Sequence, residues 1–170
     1  AFVITRAIAC FERSLLSGNS PYDQYIKNNN TNAMTDAQIR GMNLFFSDRT
    51  NCSTCHSGFN FTNYAFENNG LYIQYADIGR MRLTLKEEDM ALFKVPGLRN
   101  IEMTGPYMHD GSIQTLQQVI DHYQSGGMDH PHKNPILKPL DLTTPEQKDL
   151  IEFLKALTDD TFLTNPIFKY

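Results

Sequence analysis

The chain has 170 residues, of which 41% are hydrophobic and 20% charged, and this composition is typical of one globular domain rather than of a disordered or membrane-embedded chain. Its 15 basic and 19 acidic side chains give a net charge of -4, which argues against a general nucleic-acid binder because phosphate partners require a basic surface. No run of about 18 apolar residues occurs, so the sequence predicts no transmembrane segment.

Four helices are predicted, in chain order, from apolar residues that recur at helical spacing. The first helix spans residues 1–16, and the second follows the N-cap Thr35. The third runs from the N-cap Thr115 to Gly126, and the fourth begins at Thr144. Residues 17–21 and 28–32 are predicted as loops, and residues 57–93 as irregular loop with at most a short helical turn at 87–92. Four helices are little regular structure for this length, which indicates that something other than side chains fills part of the interior.

The first predicted helix bears on how the chain begins. No capping residue precedes its periodic apolar positions, and neither an initiator Met nor a signal sequence is present. The sequence therefore predicts a piece of a longer protein. A mature N-terminus left by signal cleavage is the alternative interpretation.

The most informative segment is Cys52-x-x-Cys55-His56, the attachment signature of c-type haem. Two thiols one helical turn apart can reach the two vinyl groups of a porphyrin, and the adjacent imidazole is then held as the proximal iron ligand. A zinc site would need further Cys or His ligands at short spacing, and the third cysteine, Cys10, is alone. A thioredoxin-like redox pair would need a β-α-β pattern, which the sequence does not show. Because such cytochromes receive haem after export, the motif also predicts a periplasmic location.

Three segments resemble one known family, the bacterial di-haem cytochrome c peroxidases and MauG-like proteins. Residues 7–20 are similar to the helix that leads out of the family's first domain, and residues 52–61, CSTCHSGFNF, to its second haem motif. Residues 93–111, FKVPGLRNIEMTGPYMHDG, are similar to the most distinctive stretch of its C-terminal domain. A second CxxCH and the tryptophan that lies between the family's two haems are not in this chain.

The resemblance implies a mainly α-helical, cytochrome c-like domain whose long loops wrap a covalent haem c. Residues 1–30 would be the end of the preceding N-terminal domain with its connecting helix, and residues 31–170 the haem domain. The implied function is to relay electrons between a small redox donor protein, such as a cytochrome c or a cupredoxin, and a catalytic haem in the N-terminal domain, with peroxide as oxidant. The alternative is a self-contained electron-transfer cytochrome without catalytic activity.

The resemblance also implies a position for the distal iron ligand. Family peroxidases place a Met, and MauG a Tyr, on the helix after the HDG-like turn, and the matching residue here is Tyr123. Helical spacing independently puts Tyr123 on the apolar face with Leu116, Val119 and Ile120. Met108, in the HDG-like turn, is the alternative ligand, and an ordinary buried tyrosine is the alternative role for Tyr123.

Two further sites are implied by the matched stretch. Thr104 and Pro106 correspond to positions whose backbone carbonyls bind an interdomain calcium ion in the family peroxidases, and carbonyl oxygens suit that ion. Arg99 is expected to pair with a haem propionate, since a guanidinium binds a carboxylate bidentately. The alternative for Arg99 is an ion pair at the surface.

Overall fold

Threonine side chains begin three of the longer helices. Thr35, Thr115 and Thr143 each accept a hydrogen bond from a backbone N–H three residues later and complete a capping box with the Gln or Glu found there. The structure in which they lie is a computed structural model that describes residues 2–168. The predicted helices after Thr35, after Thr115 and at Thr144 are all confirmed.

Short helices joined by long loops make up the described chain. The helices are α1 Phe2–Ser14, α2 Pro21–Lys27, α3 Asp36–Phe45, α4 Cys52–Cys55, α5 Met81–Thr84, α6 Leu116–Ser125, α7 Thr144–Lys155 and α8 Asp160–Leu163. Two strands of two residues each, β1 Phe66–Glu67 and β2 Phe93–Lys94, pair antiparallel. None of the helices within residues 2–168 is long and apolar enough to cross a membrane.

The N-terminal third differs from the sequence prediction in two ways. The helix predicted over residues 1–16 ends at Ser14, and Ala1 lies outside the described residues. The loop predicted at 17–21 in fact leads into α2, because Ser20 caps that helix with Asp23 in a capping box and Pro21 occupies its first turn. Proline is tolerated in a first turn, so the same residues that indicate a break also begin a helix.

The irregular segment at 57–93 is largely as predicted. The helical turn expected at 87–92 is present as a single 3-10 turn at Glu87–Asp89. The β1–β2 pair and the four-residue helix α5 lie in or beside this segment and were not predicted, since elements of two to four residues carry no detectable periodicity.

The core forms where α3 packs on α7 and where an aromatic cluster fills the space beside them. Phe45 of α3, Phe153 of α7 and the loop residue Phe61 have ring centroids between 5.1 and 6.3 Å apart, and all three side chains are fully buried. Tyr22 of α2 joins them edge-on, 5.2 Å from Phe61. Residues 17–27, which the sequence groups with a preceding domain, thus pack on the same core as α3 and α7.

A buried ion pair ties α2 to the loop after β2. Arg99 donates from Nη2 to Oδ1 of Asp23 at 2.9 Å and from Nη1 to the other carboxylate oxygen, and from Nε to the carbonyl of Phe59 at 2.8 Å. The two charged side chains are only 9% and 2% exposed. Burial alone would raise the pKa of Asp23, but hydrogen bonds from Arg99 and Ser20 outweigh that effect and hold the pKa at about 2.

Replacing Gly41 by alanine should strongly destabilise the fold. A Cβ on Gly41 would lie 1.9 Å from the backbone carbonyl oxygen of Asp149, so α3 and α7 would have to move apart. We expect a loss of roughly 1–3 kcal/mol or more in the free energy of unfolding, measured by urea denaturation. Asn43→Ala, on the exposed face of the same helix, is the control and should change stability by less than about 0.5 kcal/mol. Equal effects of the two variants would contradict this account of the α3–α7 contact.

Replacing Asp23 by asparagine should leave the Arg99 charge buried without a counter-ion and cost about 3–5 kcal/mol in unfolding free energy. Asp149→Asn is the matched control because Asp149 pairs with Arg40, whose side chain is 60% exposed, and such pairs contribute about 1 kcal/mol or less. Similar losses of unfolding free energy in both variants would show that the buried pair contributes no more to stability than the exposed one.

The same pair predicts a pH dependence. The pKa of Asp23 falls from its ordinary 3.8 to about 2 on folding, so its stabilisation is fully present above pH 4 and is lost as the pH falls towards 2. A pKa change of this size corresponds to roughly 2.6 kcal/mol. Between pH 5 and pH 2, the free energy of unfolding should fall by about this amount in the native chain. The Asp23→Asn variant should not show this part of the decrease.

Candidate functional site

The CxxCH segment forms one tight helical turn whose entry is set by Asn51. Asn51 adopts the left-handed conformation at φ 54°, which asparagine tolerates better than most residues, and the chain then winds through α4. The backbone N–H of His56 donates to the carbonyl of Cys52 at 2.9 Å and closes the turn. The thiols of Cys52 and Cys55 are therefore one turn apart, and His56 follows directly.

A backbone carbonyl determines which nitrogen of His56 is available. Nδ1 of His56 lies 3.1 Å from the carbonyl oxygen of Phe61, and a carbonyl only accepts, so Nδ1 carries the proton and Nε2 keeps its lone pair. Phe61 has φ 52° and a buried ring, which fixes the direction of this carbonyl. Burial lowers the pKa of His56. The Phe61 and Pro96 carbonyls act to raise it, but the effect of burial is larger. The imidazole is thus neutral and oriented, as a metal-binding histidine must be.

The two thiols are not activated by their surroundings. Burial raises the pKa of Cys52 and of Cys55, with the Glu67 carboxylate adding to the effect at Cys55. A thioredoxin-like pair would instead lower a thiol pKa and follow a β-strand, and no β-α-β unit occurs in the described part of the chain. Among residues 2–168 no group of three or more His, Cys, Asp or Glu side chains comes together as a metal site, so the zinc alternative has no ligand set there.

The hydroxyl of Tyr123 on α6 has a strongly shifted pKa. Burial raises this pKa to about 12, Cys52 and Cys55 add to the shift, and the Asn69 side chain opposes it. Leu116 and Ile120, on the same helix face, are buried in the core. The helix face that spacing assigns to the interior is thus buried at these two positions, while Tyr123 itself is half-buried and its role as an iron ligand remains a prediction.

Met108 lies beside the same asparagine. Its sulfur accepts a hydrogen bond from Nδ2 of Asn69 at 3.2 Å, and its backbone is in the left-handed region at φ 71°. Met108 thus contacts Asn69 directly, and the Asn69 carbonyl lies 3.0 Å from Nε2 of His122, the residue before Tyr123. Sequence reasoning missed Asn69, because it lies in an Asn-rich loop with no periodicity that could single it out.

The remaining predicted site residues lie elsewhere. The guanidinium of Arg99 is engaged by Asp23 and the Phe59 carbonyl, so an ion pair is present, but with both side chains buried rather than at the surface. Pairing of Arg99 with a haem propionate remains a prediction. Thr104 and Pro106 are exposed, and within the described residues no N–H donates to either backbone carbonyl. Their carbonyls are therefore accessible, and calcium binding there remains a prediction.

Comparison with known proteins finds relatives along most of the chain, although no family model matches it. It is 36% identical over 156 residues to the methylamine utilization protein MauG of Methylorubrum extorquens, an alignment that covers 91% of this chain and 43% of that protein. It is 41% identical over 124 residues to the cytochrome c peroxidase Ccp of Escherichia coli, covering 69% of this chain and 26% of that protein.

Solved structures give the same result. A MauG-like protein associated with microbial copper homeostasis superposes with a TM-score of 0.86 at 35% identity, covering 95% of this chain and 58% of the other. The diheme peroxidase BthA from Burkholderia thailandensis matches with a TM-score of 0.68 at 22% identity, covering 85% and 47%, which is a likeness of fold. The predicted mainly helical fold is thereby confirmed.

The chain spans less than half the length of these curated relatives, so the similarity is that of a domain. It extends through the CxxCH motif, α6 and α7, since about nine-tenths of the chain is aligned. The chain belongs to the family of MauG proteins and di-haem cytochrome c peroxidases.

Proposed function

We propose that the chain binds one haem c covalently through Cys52 and Cys55, with His56 as proximal iron ligand, and that it is the electron-transfer domain of a larger di-haem oxidoreductase. The observation that carries the proposal is the hydrogen bond between Nδ1 of His56 and the Phe61 carbonyl. With the proton on Nδ1, the lone pair is on Nε2 of a histidine that directly follows two thiols one helical turn apart.

The donor set fits haem better than a bare metal ion. Two thiols one helical turn apart match the two vinyl groups of a porphyrin, and the adjacent imidazole is neutral and oriented. Bound haem supplies one-electron redox chemistry at the iron. The chain anchors the group at the cysteines, orients His56 through Phe61, and shields the site with the buried face of α6.

Covalent attachment is tested by intact mass under denaturing conditions. When the chain is produced with a cytochrome c maturation system, its mass should exceed the polypeptide mass by one haem, and a pyridine haemochrome spectrum should confirm the group. The Cys52→Ala, Cys55→Ala double variant should carry no covalent haem. Cys10→Ala removes the exposed third cysteine in α1 and should retain it.

Anchoring and ligation are separate roles, so His56→Ala protein that still matures should keep its haem and lose the normal proximal ligation. A wild-type mass equal to that of the bare polypeptide would overturn the proposal.

For the distal side, we propose Tyr123 as the group at the iron, with Met108 as the alternative. Tyr123 lies on α6, on the helix face that buries Leu116 and Ile120, whereas Met108 lies in a loop turn. A phenolate stabilises ferric iron and lowers the reduction potential, whereas a thioether stabilises ferrous iron and raises it.

The wild-type haem should therefore have a low potential and no thioether-to-iron absorption in the red. Tyr123→Met should raise the potential and introduce that band, and Tyr123→Phe should open the site to cyanide, measured by optical titration. Met108→Leu is the paired control and should change neither property. A wild-type thioether band that Met108→Leu abolishes and Tyr123→Phe retains would make Met108 the ligand.

The surface of α1 supports the proposal that this domain works beside another one. Its apolar side chains at positions 2, 3, 4, 8 and 11 are between 44% and 77% exposed, and no residue of the helix is buried. The curated relatives are more than twice as long as the aligned region. We infer that α1 packs against an N-terminal domain holding a second, catalytic haem. A self-contained cytochrome, the alternative, leaves this apolar face unexplained.

The remaining parts of the proposal follow from the family. The domain would pass electrons between a small redox donor, a cytochrome c or a cupredoxin, and the catalytic haem, where peroxide is the oxidant, and the protein would be periplasmic. The accessible carbonyls of Thr104 and Pro106 would bind calcium together with ligands from the N-terminal domain. Because residues 17–27 pack on the haem-domain core, we place the domain boundary nearer the end of α1 than residue 30.

A further inference from the structure

Asn69 is held in one orientation by its own loop. The backbone N–H of Leu71 donates to its Oδ1 at 3.2 Å, so the oxygen end of the amide is occupied by the chain two residues later. The NH₂ end then faces away from the loop, and its first hydrogen is directed at the Met108 sulfur, 3.2 Å from Nδ2. An amide nitrogen carries two donor hydrogens, which leaves one for a second acceptor.

The second hydrogen is available to an acceptor on the side of α6, the helix to which backbone contacts attach Asn69. The carbonyl of Asn69 lies 3.0 Å from Nε2 of His122, the residue before Tyr123 on α6. Gly127, just after α6, approaches the same carbonyl so closely that a Cβ there would lie 2.8 Å from it. Asn69 is thus attached to the helix that carries Tyr123.

Met108 is held from its own side. It has a left-handed backbone, and next to it the Tyr107 N–H donates to the Ile113 carbonyl at 2.6 Å. Two positions further on, Asp110 accepts from the Tyr72 hydroxyl at 2.7 Å. The turn that carries the sulfur is therefore braced against the loop that carries Asn69, so the contact between the Met108 sulfur and the Asn69 amide is held from both sides.

We propose that Asn69 is a positioning residue that selects Tyr123 over Met108 as the distal ligand of the haem iron. One N–H engages a lone pair of the Met108 sulfur, which would keep the thioether from binding the iron and leave that position to Tyr123. The inference rests on the proposed haem site and adds to it a residue that touches neither cysteine nor His56.

The test compares Asn69→Leu with the wild-type chain, both matured with haem. Leucine has a similar size but no donor, so the Met108 sulfur should become free to bind iron. We expect a thioether-to-iron band to appear in the red and the reduction potential to shift to more positive values. Both changes should be lost in the Asn69→Leu, Met108→Leu double variant, which a merely structural role of Asn69 would not produce.

Two further variants separate donor loss from damage to the loop. Asn69→Asp keeps an oxygen for the Leu71 N–H and removes the NH₂ group, and it should also show the thioether band. Asn134→Leu is the matched control, because the Asn134 side chain makes the same turn bond, to the Ile136 N–H at 3.0 Å, but donates to Glu67 instead. Its spectrum and potential should be those of the wild type.

Denaturing mass is measured on every variant, so that failure of this inference is distinguished from failure of the haem proposal. If haem is attached and Asn69→Leu keeps the wild-type spectrum and potential, the inference is overturned and the haem site stands. A thioether band already present in the wild type, or one that persists in the double variant, also overturns it. If the wild-type chain carries no covalent haem, both proposals fall.

Discussion

The hydrogen bond from His56 to the Phe61 carbonyl connects the core of this domain to its site. Phe61 contributes its ring to the aromatic cluster with Phe45 and Phe153, and contributes its carbonyl to the imidazole. Phe→Ala changes in such clusters cost about 3–5 kcal/mol, so the ring is held firmly. The orientation of His56 is therefore determined by the packing of α3 and α7, although His56 itself lies on neither helix.

A second link reaches the same loop from α2. The guanidinium of Arg99 lies over the rings of Phe59 and Phe61, with 4.5 and 5.5 Å from its central carbon to the ring centroids. Its charge is neutralised by Asp23, and its Nε binds the Phe59 carbonyl. Arg99 thus helps to hold the loop of Phe59 and Phe61, whose Phe61 carbonyl orients His56. Its role in the site is therefore structural and indirect.

The sequence predicts those features that depend on local chemistry. Threonine caps followed three residues later by Gln or Glu predict where α3, α6 and α7 begin, since capping boxes need only a few adjacent residues. The CxxCH spacing likewise predicts one helical turn with a histidine after it. Helical spacing alone assigns Leu116 and Ile120 to one face of α6, and both side chains reach the core.

What the sequence does not predict depends on contacts between distant residues. The partner of Arg99 lies 76 positions away, and the contact between Asn69 and Met108 spans 39 positions. No periodicity marks either pair, because loop residues that meet through left-handed turns follow no repeat. The helix α2 was missed for a different reason: serine and proline indicate both the end of one element and the start of the next.

The two sides of the proposed iron site differ in what holds them, and this difference has a functional consequence. On the proximal side, His56 depends on a ring in the core, so a change there costs stability as well as ligation. On the distal side, Met108 and Asn69 lie in loops that bind each other, with Asn69 also bound to His122 of α6, and neither side chain is part of the buried core. A change at Asn69 or Met108 is therefore expected to act on the proposed distal side without removing a core side chain. The same fold is kept in the diheme peroxidase BthA at 22% identity, so the sequence around it can change widely while the packing that holds His56 is retained here by α3 and α7.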